Sequence, residues 1–150
     1  MASGWLGPAA GVIGLWLFAA LMWTPVVGSA QLRPLLARWP TGRLWLNYPL
    51  LVALGVAGEV AVFLVPVAVG GSLGGVALVQ WTLAVAVGYP LVVAVVVATV
   101  APRVADWSPA ATDGIDGRIV VGLTAVLYGV ATAAVAGLVF LGLMAYYFPG

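Results

Sequence analysis

The sequence predicts an all-α integral membrane protein: a four-transmembrane-helix bundle with a short cytoplasmic amphipathic segment between helices 1 and 2. Three observations predict it. Hydrophobic residues make up 65% of the 150 residues and charged residues 6%, against about 25% charged in a soluble domain. Four apolar stretches each reach the roughly 20 residues that a bilayer-crossing helix needs. All five basic residues are arginines, and they fall between stretches one and two or between stretches three and four. A chain of this size and composition is expected to be one membrane domain over residues 1–150.

The first span is expected at 6–27. "VVGSAQ" offers small residues for signal cleavage, but no positive charge precedes Leu6. Cleavage would also leave Arg33, Arg38 and Arg43 on the wrong side, so a retained helix is expected. In "SAQLRPLLARW", residues 29–39, Leu32, Leu35, Leu36 and Trp39 share one helical face, and Arg33 and Arg38 lie off it. The segment reads either as an interfacial helix touching lipid phosphate or a partner, or as a solvated loop that follows the charge rule. Three arginines are fewer than the about four to eight of lipid-recognition clusters, which favours the solvated loop.

The second span is expected at 47–69, the third at 76–101 and the fourth at 119–148. "GGSLGG", residues 70–75, is a tight turn that makes spans two and three antiparallel neighbours. "LVVAVVVATVA" does not alternate apolar with polar residues, which excludes the strands of a membrane barrel. In the loop "DWSPAATDGIDGR", Asp113 or Asp116 suits the N-terminus of span four. The calcium-loop pattern there is incomplete, so no metal site is expected. Trp5, Trp23, Trp39, Trp45, Trp107, Tyr146, Tyr147 and Phe148 are expected to form interfacial aromatic belts. "YPLLVA" at Tyr48 and "YPLVVA" at Tyr89 are similar, but they sit at different depths and read as low complexity.

Positive charge stays on the cytoplasmic side. Arg33, Arg38, Arg43, Arg103 and Arg118 therefore mark loops 28–46 and 102–118 as cytoplasmic, with both termini outside the cell membrane.

Glu59 is the only glutamate, and it lies near the middle of the second span. A central acidic residue costs about 2.5–3.5 kcal/mol to insert. No arginine lies within any expected span, so the carboxyl is expected to be protonated, or to meet a bound ion, water or a partner chain. Counting twelve residues from the cytoplasmic end brings Tyr89 and Thr132 to the same depth. Pro66 has no N–H and leaves the Val62 carbonyl unpaired one turn from Glu59; Pro90 does the same for Ala86. Glu59, Tyr89, Thr132, Val62 and Pro66 thus form the candidate proton, ion or partner site; the alternative is that Glu59 serves only as a hydrogen-bonding contact between helices. Span four carries Ala125, Gly129, Ala133 and Gly137 at four-residue spacing, a pattern that lets helix backbones approach closely.

With no Cys and no His, thiolate and imidazole chemistry are absent, and the chain is expected to be no enzyme and to carry no cofactor or metal. A net charge of +1 gives no attraction to nucleic acid. The expected surroundings are the lipid bilayer and a protein partner or homo-oligomer within it. Tiny loops and few polar residues in the spans favour an accessory or structural subunit of a larger membrane complex. The alternative is a small oligomeric transporter or channel, coupled to protons or cations through Glu59.

Overall fold

The computed structural model describes residues 6–38, 40–105, 107–110 and 114–147, the side chains of Leu6 and Pro8 excepted. Trp5, Trp39, Asp106, Asp113 and Phe148 lie outside the described residues. Six helices follow one another among them: α1 (Leu6–Met22), α2 (Thr24–Gly28), α3 (Arg33–Arg38), α4 (Leu44–Ala68), α5 (Gly75–Val104) and α6 (Gly117–Tyr147). Four segments are long and apolar enough to cross a bilayer: Ala9–Gly28, Leu44–Ala68, Gly75–Val104 and Gly117–Tyr147. The chain is an all-helical membrane bundle without a described strand.

The long helices run past their apolar stretches at the arginine-bearing end. α4 begins at Leu44 rather than 47, α5 continues to Val104 rather than 101, and α6 begins at Gly117 rather than 119. Hydropathy marks where lipid ends, whereas a helix ends where its hydrogen-bond ladder stops. At α6 that point is a cap: Asp116 Oδ1 accepts the Arg118 N–H at 2.7 Å.

The first span is broken rather than continuous. Pro25 cannot donate to the Leu21 carbonyl, and the Thr24 hydroxyl donates to it instead at 2.5 Å. Trp23 stands at the break between α1 and α2. The turn between α4 and α5 has Gly70 at φ 76° and Gly75 at φ 53°, the left-handed region where glycine has no Cβ penalty.

Neighbouring helices pair in a ring: α1 with α4, α4 with α5, α5 with α6, and α6 with α1. α5 and α6 pack most closely. Ala125 is fully buried, and a Cβ on Gly129 would lie 3.2 Å from the Ala86 carbonyl oxygen and the Val87 Cα. Gly137, two turns further along, has open space instead. The small-residue stripe therefore seats α6 on α5 at Ala125 and Gly129 and opens out beyond Ala133.

The segment after the first span is not a solvated loop. Leu32 is 1% exposed and packs with Val26, Ala94, Trp107, Val121 and Ala125. Leu35 and Leu36 of α3 pack against the same cluster. The apolar face that the sequence shows is turned up into the bundle, so α3 closes its arginine-bearing end. Asn47 fastens it. This fully buried amide donates to the Leu36 and Ala37 carbonyls at 2.8 and 3.2 Å. Its Oδ1 accepts from the Thr41 hydroxyl at 2.6 Å and the Thr41 N–H at 3.0 Å. On the other side, Trp107 Nε1 donates to the Gln31 carbonyl at 2.7 Å. Trp107 is thus a buried packing residue, not part of an interfacial belt, whereas Trp45, Tyr146 and Tyr147 are exposed.

All five arginines lie at this end. Arg33 donates to the Val27 carbonyl at 2.7 Å, Arg103 to the Thr99 carbonyl at 2.5 Å, and Arg38 to the Ala105 carbonyl. Arg43 precedes α4 as its cap residue, and Arg118 lies in the first turn of α6.

Candidate functional site

Glu59 is 6% exposed and faces the interior of the bundle. Its position follows from the periodicity of α4: Val52, Val56 and Glu59 lie on one face and are the buried residues of its middle. The Tyr128 hydroxyl, on α6, donates to Glu59 Oε2 at 2.6 Å. No arginine reaches the carboxyl among the described residues; its one hydrogen bond is to a phenol.

Depth counting pointed to Thr132, but Tyr128, one turn nearer the arginine end, makes the contact. α4 and α6 face one another across the ring rather than side by side. A threonine hydroxyl is too short to cross that gap, and a tyrosine reaches it. Helical side chains also lean toward their own N-termini, and both α4 and α6 start at the arginine end, so both reach in the same direction. Tyr128 is held in place by α1, its ring centroid 5.9 Å from that of Phe18 and 6.2 Å from that of Trp23. Thr132 lies near the Tyr128 hydroxyl but outside hydrogen-bond geometry, and its buried oxygen has no partner among the described residues.

Tyr89 of α5 does arrive beside Glu59. Its hydroxyl rests against Gly58, where any Cβ would collide with it. Gly58 thus lets Tyr89 come in next to the acid. Val62 and Pro66 lie elsewhere: neither borders the cavity described below. One residue on from Val62, the Phe63 carbonyl accepts from Trp81 Nε1 of α5 at 3.1 Å. The Ala86 carbonyl, freed by Pro90, is directed at Gly129 of α6 and not at Glu59. The carbonyl freed by Pro90 faces the α5–α6 contact, and the acid has phenols around it instead.

Glu59, Tyr89 and Tyr128 border a cavity of about 340 Å³. It runs from Glu59 down to α3, and the rest of its wall is almost wholly apolar. Leu32, Leu35 and Leu36 border its lower end. α4 and α5 touch through Phe63 and Trp81 and through Gly58 and Tyr89. Below that level Leu51 and Gly55 of α4 and Val93 and Val97 of α5 are half-exposed and border the cavity. The cavity is therefore open sideways between α4 and α5, toward lipid. From Tyr48 to Glu59 is eleven residues of α4, or about 16 Å at the α-helical rise.

Tyr48 and Tyr89 both border this cavity, from antiparallel helices at different depths. The two similar Tyr-Pro segments thus supply one tyrosine near each end of it. The Tyr48 hydroxyl is engaged by the Ala20 carbonyl of α1, which leaves Glu59, Tyr89 and Tyr128 as its polar end. Among the described residues no group of three acidic side chains comes together to hold a metal.

No protein-family model, curated protein sequence or solved structure is similar to this chain.

Proposed function

We propose that the chain is a non-enzymatic multi-pass protein of the cell membrane that takes a small lipophilic molecule from the bilayer into its cavity, with Glu59 as the proton-bearing polar anchor. The observation that carries the reading is the cavity itself: about 340 Å³, apolar along its length, open between α4 and α5, and ending on the chain's only glutamate. Ligand sites are concave and mostly apolar, about 300–1,000 Å³, with a few convergent polar groups. A purely structural subunit needs no such space, because a void forfeits the packing contacts that hold helices together. The transporter-type reading therefore stands above that of an accessory subunit. In this proposal the arginine-bearing end faces the cytoplasm and both termini face outward.

Native mass spectrometry of the protein, extracted gently from its own membrane, tests the reading. The expected result is the chain, alone or as a homo-oligomer, carrying a small-molecule mass that Gly55→Phe removes. Gly55 borders the cavity and has open space where a side chain would project. A reproducible complex with a different protein, and no small-molecule mass, would instead establish the accessory subunit.

A further inference from the structure

We propose that the molecule taken up is a lipophilic amine with an aliphatic tail, and that Glu59 receives its nitrogen. The inference rests on the cavity reading above and adds the chemistry of the ligand.

Charge complementarity argues for the amine. The cavity ends on a carboxyl that no basic side chain of the described residues meets, and Tyr128 occupies only Oε2. Oε1 is left to accept another donor. An ammonium supplies that donor together with the counter-charge, and a charge-assisted hydrogen bond is roughly twice as strong as a neutral one. The surroundings suit a cation a second time. The rings of Trp23, Tyr89 and Tyr128 all border the cavity, and aromatic faces attract an ammonium that has left water. An anionic headgroup would carry its charge into an apolar cavity where no basic side chain of the described residues meets it. An alcohol would find a partner but no counter-charge.

The shape argues for an extended tail. A cavity about 16 Å long by the α-helical rise, with an almost wholly apolar wall, matches an extended alkyl chain. The opening between α4 and α5 lets the tail enter from lipid without crossing water.

The proton balance closes without importing charge. The amine arrives neutral from the bilayer, and Glu59 arrives protonated. The carboxyl O–H breaks, an N–H forms, and the products are an ammonium and a carboxylate held together. Nothing charged has crossed the hydrocarbon. Tyr128 then donates to the carboxylate through the bond to Oε2 that it already makes.

The test uses the purified full chain in detergent micelles near neutral pH. Saturable binding of radiolabelled dodecylamine is measured with unlabelled dodecylamine and dodecanol as competitors. These two probes share a tail and differ in the head. Dodecylamine should compete at least about tenfold better, the factor expected when a charge-assisted bond replaces a neutral one. Glu59→Gln should remove that difference and still bind the tail. Gly55→Phe should abolish saturable binding of both probes. If dodecanol competes as well as dodecylamine in the unaltered protein, the amine assignment falls and the cavity reading stands. If dodecylamine shows no saturable binding, or Gly55→Phe leaves it unchanged, both fall. The comparison of heads needs no variant, so it holds even if Glu59→Gln fails to fold.

Discussion

Replacing Asn47 by Leu should release α3 from the bundle while leaving the transmembrane helices in place. Leu has the same branched arrangement of side-chain heavy atoms but makes none of the four hydrogen bonds of the amide. The Leu36 and Ala37 carbonyls and the Thr41 N–H lose their partners. Each unsatisfied group costs about 1–3 kcal/mol when buried. These three lie at the end of the bundle, where water reaches them once α3 lifts, so the lower figure applies and the sum is about 2–3 kcal/mol. That free energy corresponds to a local opening of α3 that is about 30- to 150-fold more populated. Hydrogen exchange reads it directly. The Leu36 amide, bonded to the Leu32 carbonyl at 2.9 Å, should lose protection by that factor, while the amides of α5 and α6 keep theirs. Asn47→Asp provides a graded control, since it retains an acceptor for Thr41 but sets a carboxylate against two carbonyls. The reasoning is refuted if the Leu36 amide keeps its wild-type exchange in Asn47→Leu. It is refuted equally if α5 and α6 lose as much protection as α3, because Asn47 would then hold the whole bundle rather than one helix.

Other consequences are sharper in sign than in size. Tyr128→Phe keeps the ring contacts with Phe18 and Trp23 and removes the donor to Glu59, so thermal unfolding in detergent should show a loss of about 1–3 kcal/mol. Gly129→Leu must push α6 off α5, because even a Cβ would lie 3.2 Å from backbone atoms of Ala86 and Val87; it should cost more than the same change at Gly137, which faces open space. The chain has no Cys, so single cysteines at Ser72 and Ser108 report topology without background. A membrane-impermeant maleimide on intact cells should label the first and not the second, and the reverse result would invert the proposed orientation.

What the sequence by itself determined is the part governed by transfer from water to lipid. Too few charges for an aqueous surface, four long apolar stretches and arginines on alternate loops set the helix number and put every arginine at one end of the bundle. They also singled out Glu59, because a lone acid in an apolar run is costly enough to be conspicuous. Gly129 was legible for a similar local reason: four-residue spacing of small residues follows from helix geometry alone. The tertiary structure decided everything that depends on which faces meet. Depth counting brought Tyr89 to the right level. It missed Tyr128, because side-chain reach and lean across a gap are not functions of position along a helix. Val62 and Pro66 were marked by a backbone rule, and packing turned them away from the cavity. The apolar face of α3 was visible at Leu32, Leu35 and Leu36, but whether it met water, lipid or protein depended on Asn47, eleven residues beyond Leu36. The cavity has no local sequence signature at all. It exists because α4 and α5 separate below Gly58 while α3 closes the space beneath, and a void is a property of how elements sit together, not of any one of them.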